Sequence, residues 1–276
     1  MSFLQAAAAG YQEECFLQGK AGKPELCEDI IVECEHYYAV IDGVTAKTEF
    51  TYGGKTGGRF AAELVAEAIR QLEPQETAIS ALEKLDRVIA DQYRSPEERA
   101  ASPLQACVIL YSKYRKEVWS YGDCCLMINE NRFTHEKRID TVMEQLRAFA
   151  IAVHLAKGGK AEDVISQDIG RDAVLPYIRQ QTIFANTTGY FGYPVLNGTG
   201  INRKLVRVYF VEAGDHIVLA SDGYPKLFSS LQESEAYLQK VLEFDPLSYE
   251  DNMQTKTRIP GNLSFDDRAY FSFFVK

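Results

Sequence analysis

Short runs rich in β-branched and aromatic residues recur in two blocks of this chain, and acidic residues stand at the mouths of four of them. The first block holds 30–32 and 37–41, which read as strands. After Pro103 the runs 104–111, 117–121 and 124–129 read as a meander, with turns at 112–116 and Gly122-Asp123. Later strands fall at 205–211, 216–220 and 269–275. Helical spacing fills the intervals. Phe60, Leu64, Ala68 and Leu72 repeat every fourth residue across 59–72, which Pro74 closes, and 78–93 gives a second helix closed near Pro96. Residues 141–179 read as helical with breaks at Gly158-Gly159 and Gly170, and 231–244 reads as one more helix. The stretch 187–202, glycine-bearing and holding Pro194, reads as a long loop or irregular hairpin. Without an internal repeat or a low-complexity linker, this order predicts one α+β domain over 1–276: two sheets sharing a core, with helices outside.

Composition narrows the function classes. With 46% hydrophobic residues in 276, the core needs neither disulfide nor metal to hold it. A net charge of -9 argues against a nucleic-acid-binding face and suits local carboxylate clusters that collect divalent cations. None of the six cysteines forms a Cys-x-x-Cys pair, so a zinc ribbon is unsupported and the thiols read as small hydrophobes of a reduced compartment. Met1-Ser2-Phe3-Leu4 has no basic start, and no apolar stretch approaches the roughly 18 residues that span a bilayer. The expectation is a cytoplasmic monomer with no nucleic-acid or membrane partner.

The acids carry the chemistry. Asp42-Gly43 follows the run 37–41 and Asp222-Gly223 follows 216–221, while Glu28-Asp29 precedes 30–32 and Asp266-Asp267 precedes 269–275. Aspartate before glycine is also a common turn dipeptide, so no single site decides. Together they offer a rigid all-oxygen ligand set, which suits magnesium or manganese, and a following glycine lets its carbonyl approach an ion. Two ions sharing a carboxylate can hold a water as hydroxide aimed at phosphorus.

These segments resemble the metal-dependent protein Ser/Thr phosphatases of type 2C. Cys27-Glu28-Asp29-Ile30 looks like the family's acidic pair before a strand, and Tyr38-Ala39-Val40-Ile41-Asp42-Gly43 like its strand ending in Asp-Gly. Gly57-Gly58-Arg59-Phe60-Ala61-Ala62 resembles its Gly-Gly helix start, and Tyr121-Gly122-Asp123-Cys124 its Gly-Asp-Ser hairpin. Leu219-Ala220-Ser221-Asp222-Gly223 matches a family motif intact, and Asp266-Asp267 is similar to its last, Asp-Asn. The resemblance runs from about residue 20 to the end of the chain. It implies an antiparallel two-sheet β-sandwich flanked by helices (αββα, four layers) with metals between the sheets at one end.

By that match Asp42 bridges two manganese or magnesium ions and is the central catalytic residue. Glu28 and the Gly43 carbonyl serve one ion, Asp222 and Asp266 the other, and Asp123 a third. Asp29 holds metal-bound water, the partner is a phosphorylated protein, and 141–202 is the variable segment that forms a substrate-facing flap. Three features depart from the family. Val44 stands where it often has a proton-donating histidine, and His36, His135, His154 and His216 do not match that position. Pro24 replaces its phosphate-gripping arginine, leaving Lys23 or Lys20 for that task, and 45–56 replaces a tight glycine turn.

Other readings are weaker. A type 2C-like module that binds or regulates without turnover would not need five acids kept together. A phosphate loop at Gly54-Lys55-Thr56 lacks its upstream glycine, since that position is Glu49 by the strict pattern or Phe50 by the looser count. The aromatic run Tyr270-Phe271, Phe273-Phe274 reads as core.

Overall fold

The computed structural model describes residues 13–45, 50–135 and 137–276; the expectations placed on Met1–Leu4 and on Glu49 lie outside them. Two five-stranded antiparallel sheets face each other. One contains β2 (Ile30–Glu33), β3 (Tyr37–Gly43), β4 (Ala106–Ser112), β5 (Glu117–Tyr121) and β8 (Arg207–Phe210), in that order. The other runs β1 (Glu14–Gln18), β10 (Arg268–Phe274), β9 (His216–Ala220), β6 (Cys125–Ile128) and β7 (Asn131–Phe133).

Strand alternation divides the core. Val40, Ile109, Tyr111 and Val118 project to the facing sheet and meet Leu126, Ile217, Leu219, Phe271 and Phe273. Their neighbours Ala39, Ile41, Val108, Leu110 and Trp119 project the other way, onto α1 (Gly57–Arg70) and α2 (Ala78–Ala90). Helix α1 buries Ala61, Ala62, Val65, Ala66 and Ile69, one face at helical spacing, and Thr56 caps it by accepting from the Arg59 amide at 3.2 Å. On the outer face of the second sheet, Tyr224, Leu227 and Leu231 cover Met127, Val218, Ala220 and Tyr270 at the entry to α7 (Leu231–Phe244). The four layers are therefore the expected αββα arrangement, and the aromatic run of β10 is core.

The meander expected through 104–129 does not form. Strands β4 and β5 pair, but β6 pairs with β9 and β7 in the opposite sheet. Gly122 makes the crossover at φ 131, where a Cβ would sit 2.3 Å from the Cys107 Cβ. Strands β1 and β7 and the short helix α3 (Pro96–Ala101) were not expected from the sequence.

In the variable segment, α4 (Arg138–Ala156) ends at the Gly158-Gly159 break as expected. Gly170 is no break; it lies in the first turn of α6 (Ile169–Gln180), after α5 (Ala161–Ser166). A Cβ there would meet Arg147 Cγ at 2.7 Å, so the glycine serves helix packing. The buried Arg147 guanidinium bonds Asp168 and the carbonyls of Leu247, Ser248 and Gln254, tying these helices to the 245–257 loop.

Candidate metal centre

Three strand ends bring their acids to one place. Asp42 lies at the end of β3, in register with Cys107 of β4. Asp222 follows β9 directly, and Asp123 follows the Gly122 crossover. One carboxylate oxygen from each lies within 4.8 Å of the others. They open onto a cavity of about 640 Å³ that Asp266, Lys137 and Lys256 also line. Glycines allow the approach. A Cβ on Gly43 would stand 2.3 Å from the Gly58 carbonyl oxygen, and one on Gly223 only 2.0 Å from that of Asp267.

The charges of this cluster are only partly compensated, since Lys256 and Lys137 line the same cavity. Burial pushes Asp42 well above the ordinary carboxylate range, helped by repulsion from Asp222, Asp29 and Asp123. Burial likewise raises Asp222 to about 7, with Asp123 and Asp266 adding to it. Asp42 and Asp222 lie within hydrogen-bonding reach of each other, a contact that needs a shared proton when no cation is near. Asp29 is 2% exposed and is also raised, first by burial, against a hydrogen bond from Ser221. Its Oδ2 has no hydrogen-bond partner among the described residues. Buried carboxylates are normally paired or bonded, so an orphaned oxygen beside mutually repelling acids is the complement of a cation. The donors are all oxygen, which fits magnesium or manganese rather than a thiolate-seeking ion.

The other expected ligands sit differently. Glu28 is buried and held by three donors: the Thr45 hydroxyl on Oε2, the Thr56 hydroxyl at 2.6 Å on Oε1, and Lys20 at 3.5 Å. Asp266 takes Lys20 at 3.0 Å on Oδ1 and Lys256 at 2.5 Å on Oδ2. Although burial opposes it, these two lysines bring Asp266 below the ordinary range. The Gly43 carbonyl would lie 2.6 Å from a Cβ on Gly58 and so faces the start of α1. Lys20 is at the centre but engaged by carboxylates, and Lys23 is exposed, away from the cavity lining. Thr56 of the Gly-Lys-Thr tripeptide caps a helix and binds Glu28, while Lys55 pairs with Glu63 at 2.6 Å.

Sequence reasoning missed Lys137, Lys256 and Thr45. Lys137 pairs with Asp140 at 3.4 Å, lies over the Tyr193 ring at 4.3 Å and lines the cavity beside Asp123. None of the three falls in a motif, and Lys256 reaches Asp266 through an irregular loop that carries no periodic signal. His135 lines an adjoining cavity with Asp123, but burial and Arg207 lower it to about 4, so it is neutral near pH 7. His216 sits in β9 and is lowered to about 4 by burial.

No family model and no curated protein matches the sequence. Solved structures do. The Mycobacterium tuberculosis serine/threonine phosphatase PstP/Ppp aligns over 96% of this chain and 98% of its own, with 14% identity and a TM-score of 0.50. The catalytic domain of PstP in complex with two manganese ions aligns over the same shares at 15% identity and 0.48. Staphylococcus aureus Stp1 aligns over 96% and 95% at 12% identity and 0.47. The chain thus has the fold of the type 2C serine/threonine phosphatases, and the resemblance carried by its motifs is also one of architecture. Among the described residues no helix is long and apolar enough to cross a membrane.

Proposed function

We propose that this chain is a divergent type 2C enzyme, a single-domain metal-dependent phosphomonoester hydrolase acting on phosphorylated serine or threonine in proteins. The observation that carries the reading is the convergence of Asp42, Asp123 and Asp222 beside the orphaned Asp29 Oδ2. A divalent ion bound there would supply Lewis acidity to the phosphoryl group and lower the pKa of water.

In this reading Asp42 is the central ligand, and Asp222 and Asp123 complete the oxygen set. Asp29 orients water through its free oxygen while Ser221 holds the other side of the carboxyl. Glu28 and Asp266 shape the adjoining wall, and the Gly43 carbonyl fixes the entry to α1. Lys137, prealigned by Asp140 and Tyr193, takes the phosphate-binding task that the sequence left to Lys23 or Lys20. Helices α4 and α6 flank the cavity through Asp140, Glu144 and Arg171, which supports a substrate-facing role for 141–202. Val44 offers no proton, so the leaving alkoxide takes its proton from solvent.

A second reading, a type 2C-like module that binds metal and a partner without turnover, draws on Val44 and on the engaged state of Glu28. Hydrolysis of a phosphoserine peptide with manganese, with magnesium and with chelator separates the two. Turnover that needs the ion and disappears in Asp42→Asn supports the enzyme. An ion-binding protein without turnover supports the module, and turnover unaffected by chelator overturns both.

A further inference from the structure

Beside the three-aspartate cluster lies a second group of acids with a different charge balance. The Lys20 ammonium is surrounded by oxygens: Asp266 Oδ1 at 3.0 Å, Asp267 Oδ2 at 3.2 Å, Thr45 Oγ1 at 3.4 Å and Glu28 Oε2 at 3.5 Å. The backbone fixes this placement. The Lys20 amide donates to Asp267 Oδ1 at 2.8 Å, and its carbonyl accepts from the Leu263 amide at 2.7 Å. Asp267 also receives the Glu28 amide at 3.2 Å, so one carboxylate joins the segments carrying Lys20 and Glu28. Lys256 supplies a second ammonium to Asp266. Three carboxylates therefore meet two lysines, and the acceptor oxygens of Glu28 and Asp266 are all engaged. Among the described residues no lysine or arginine forms a direct ion pair with Asp42, Asp123 or Asp222, although Lys256 and Lys137 line the same cavity, and Asp29 Oδ2 is left without a donor.

We propose that Lys20 is a built-in monovalent cation that takes the place of one divalent ion, so that the chain binds a single manganese or magnesium tightly, at Asp42, Asp123 and Asp222. An ammonium and a divalent ion cannot share the pocket bounded by Glu28, Asp266 and Asp267, since both seek the same oxygens and repel each other. A lysine at the end of a flexible stem satisfies several acceptors as a compact point charge. Lys20 thereby sets the ion count and leaves the phosphate to other cations. The inference rests on the metal-dependent reading above and departs from the pair of ions that the motif resemblance implies.

Manganese bound to the purified full chain, counted by electron paramagnetic resonance during titration, tests it without requiring turnover. The expected count is one tight ion in wild type. Lys20→Met frees the second pocket, and a second ion should then bind at least tenfold more tightly than any weak second ion of wild type. Two tight ions in wild type overturn the inference while leaving the metal-dependent reading intact. No tight ion in wild type overturns both. Because a wild-type count of two overturns the inference by itself, a Lys20→Met protein that fails to fold does not rescue the proposal. If that variant folds and still binds one ion, Lys20 is not the excluding group and the inference falls.

Discussion

Replacing Asp222 with asparagine removes one negative charge from the three-aspartate cluster while keeping the side chain's size. Its carboxamide can donate to Asp42, so the contact between the two survives without a shared proton. In the metal-free folded protein Asp222 titrates at about 7, against an ordinary 3.8. The folded state therefore holds a proton that the unfolded chain has released, and metal-free stability falls as pH rises from about 4 to about 7. A gap of roughly three pH units would correspond to ~4 kcal/mol without screening. The Asp222 residue is reached by solvent through the cavity although its carboxyl is desolvated among the neighbouring acids, so screening reduces this to about 1–2 kcal/mol. At pH 8 in chelator, Asp222→Asn should melt higher than wild type by about 3–6 °C, with a smaller gain at pH 5. With manganese the order should reverse, because the variant loses an anionic ligand. Thermal unfolding at both pH values, with and without manganese, reads all four numbers. A variant that is less stable than wild type in chelator, or a gain independent of pH, would refute the reasoning.

Other expectations follow from the same geometry. Gly43→Ala places a Cβ 2.3 Å from backbone and should cost about 3 kcal/mol or more by urea unfolding, whereas an unchanged midpoint would contradict the packing. Arg147→Ala removes the buried guanidinium that bonds Asp168 and three carbonyls, leaving Asp168 only its backbone donors Arg171 and Thr257, and should cost about 3–5 kcal/mol. Hydrogen exchange should then accelerate in α4, α6 and 245–257 ahead of the sheets. With Val44 in place of a proton donor, turnover should rise steeply with leaving-group acidity across aryl phosphates, and a flat series would count against that account. Manganese affinity should strengthen as pH rises through about 7, because the ion displaces the proton that raised Asp222 retains.

The acids of the site were legible because each stands beside a run whose composition marks a strand, and strand ends gather at the rim of a sandwich. Asp42, Asp222 and Asp123 came together in this way. Sheet membership was not legible. The apolar run at 124–129 fits either sheet, and the chain crosses to β9 at Gly122, where packing against Cys107 leaves no room for a Cβ. Strand β1 escaped notice because it has five residues with only alternate ones partly buried. The carboxylate partners of Lys20 were not legible, because Asp266 and Asp267 lie almost the whole chain away and no local pattern reports a contact of that separation. Gly170 looked like a helix break because glycine weakens helices, but here close packing against Arg147 and Ile151 outweighs propensity.

The central claim is that the converging strand-end carboxylates hold an ion. Crystals grown with manganese and measured for its anomalous scattering test it most directly. The account predicts a strong peak within direct coordination distance of oxygens of Asp42 and Asp222, with Asp123 close by. Anomalous density elsewhere, with these three aspartates bonded only to water or to one another, would contradict it.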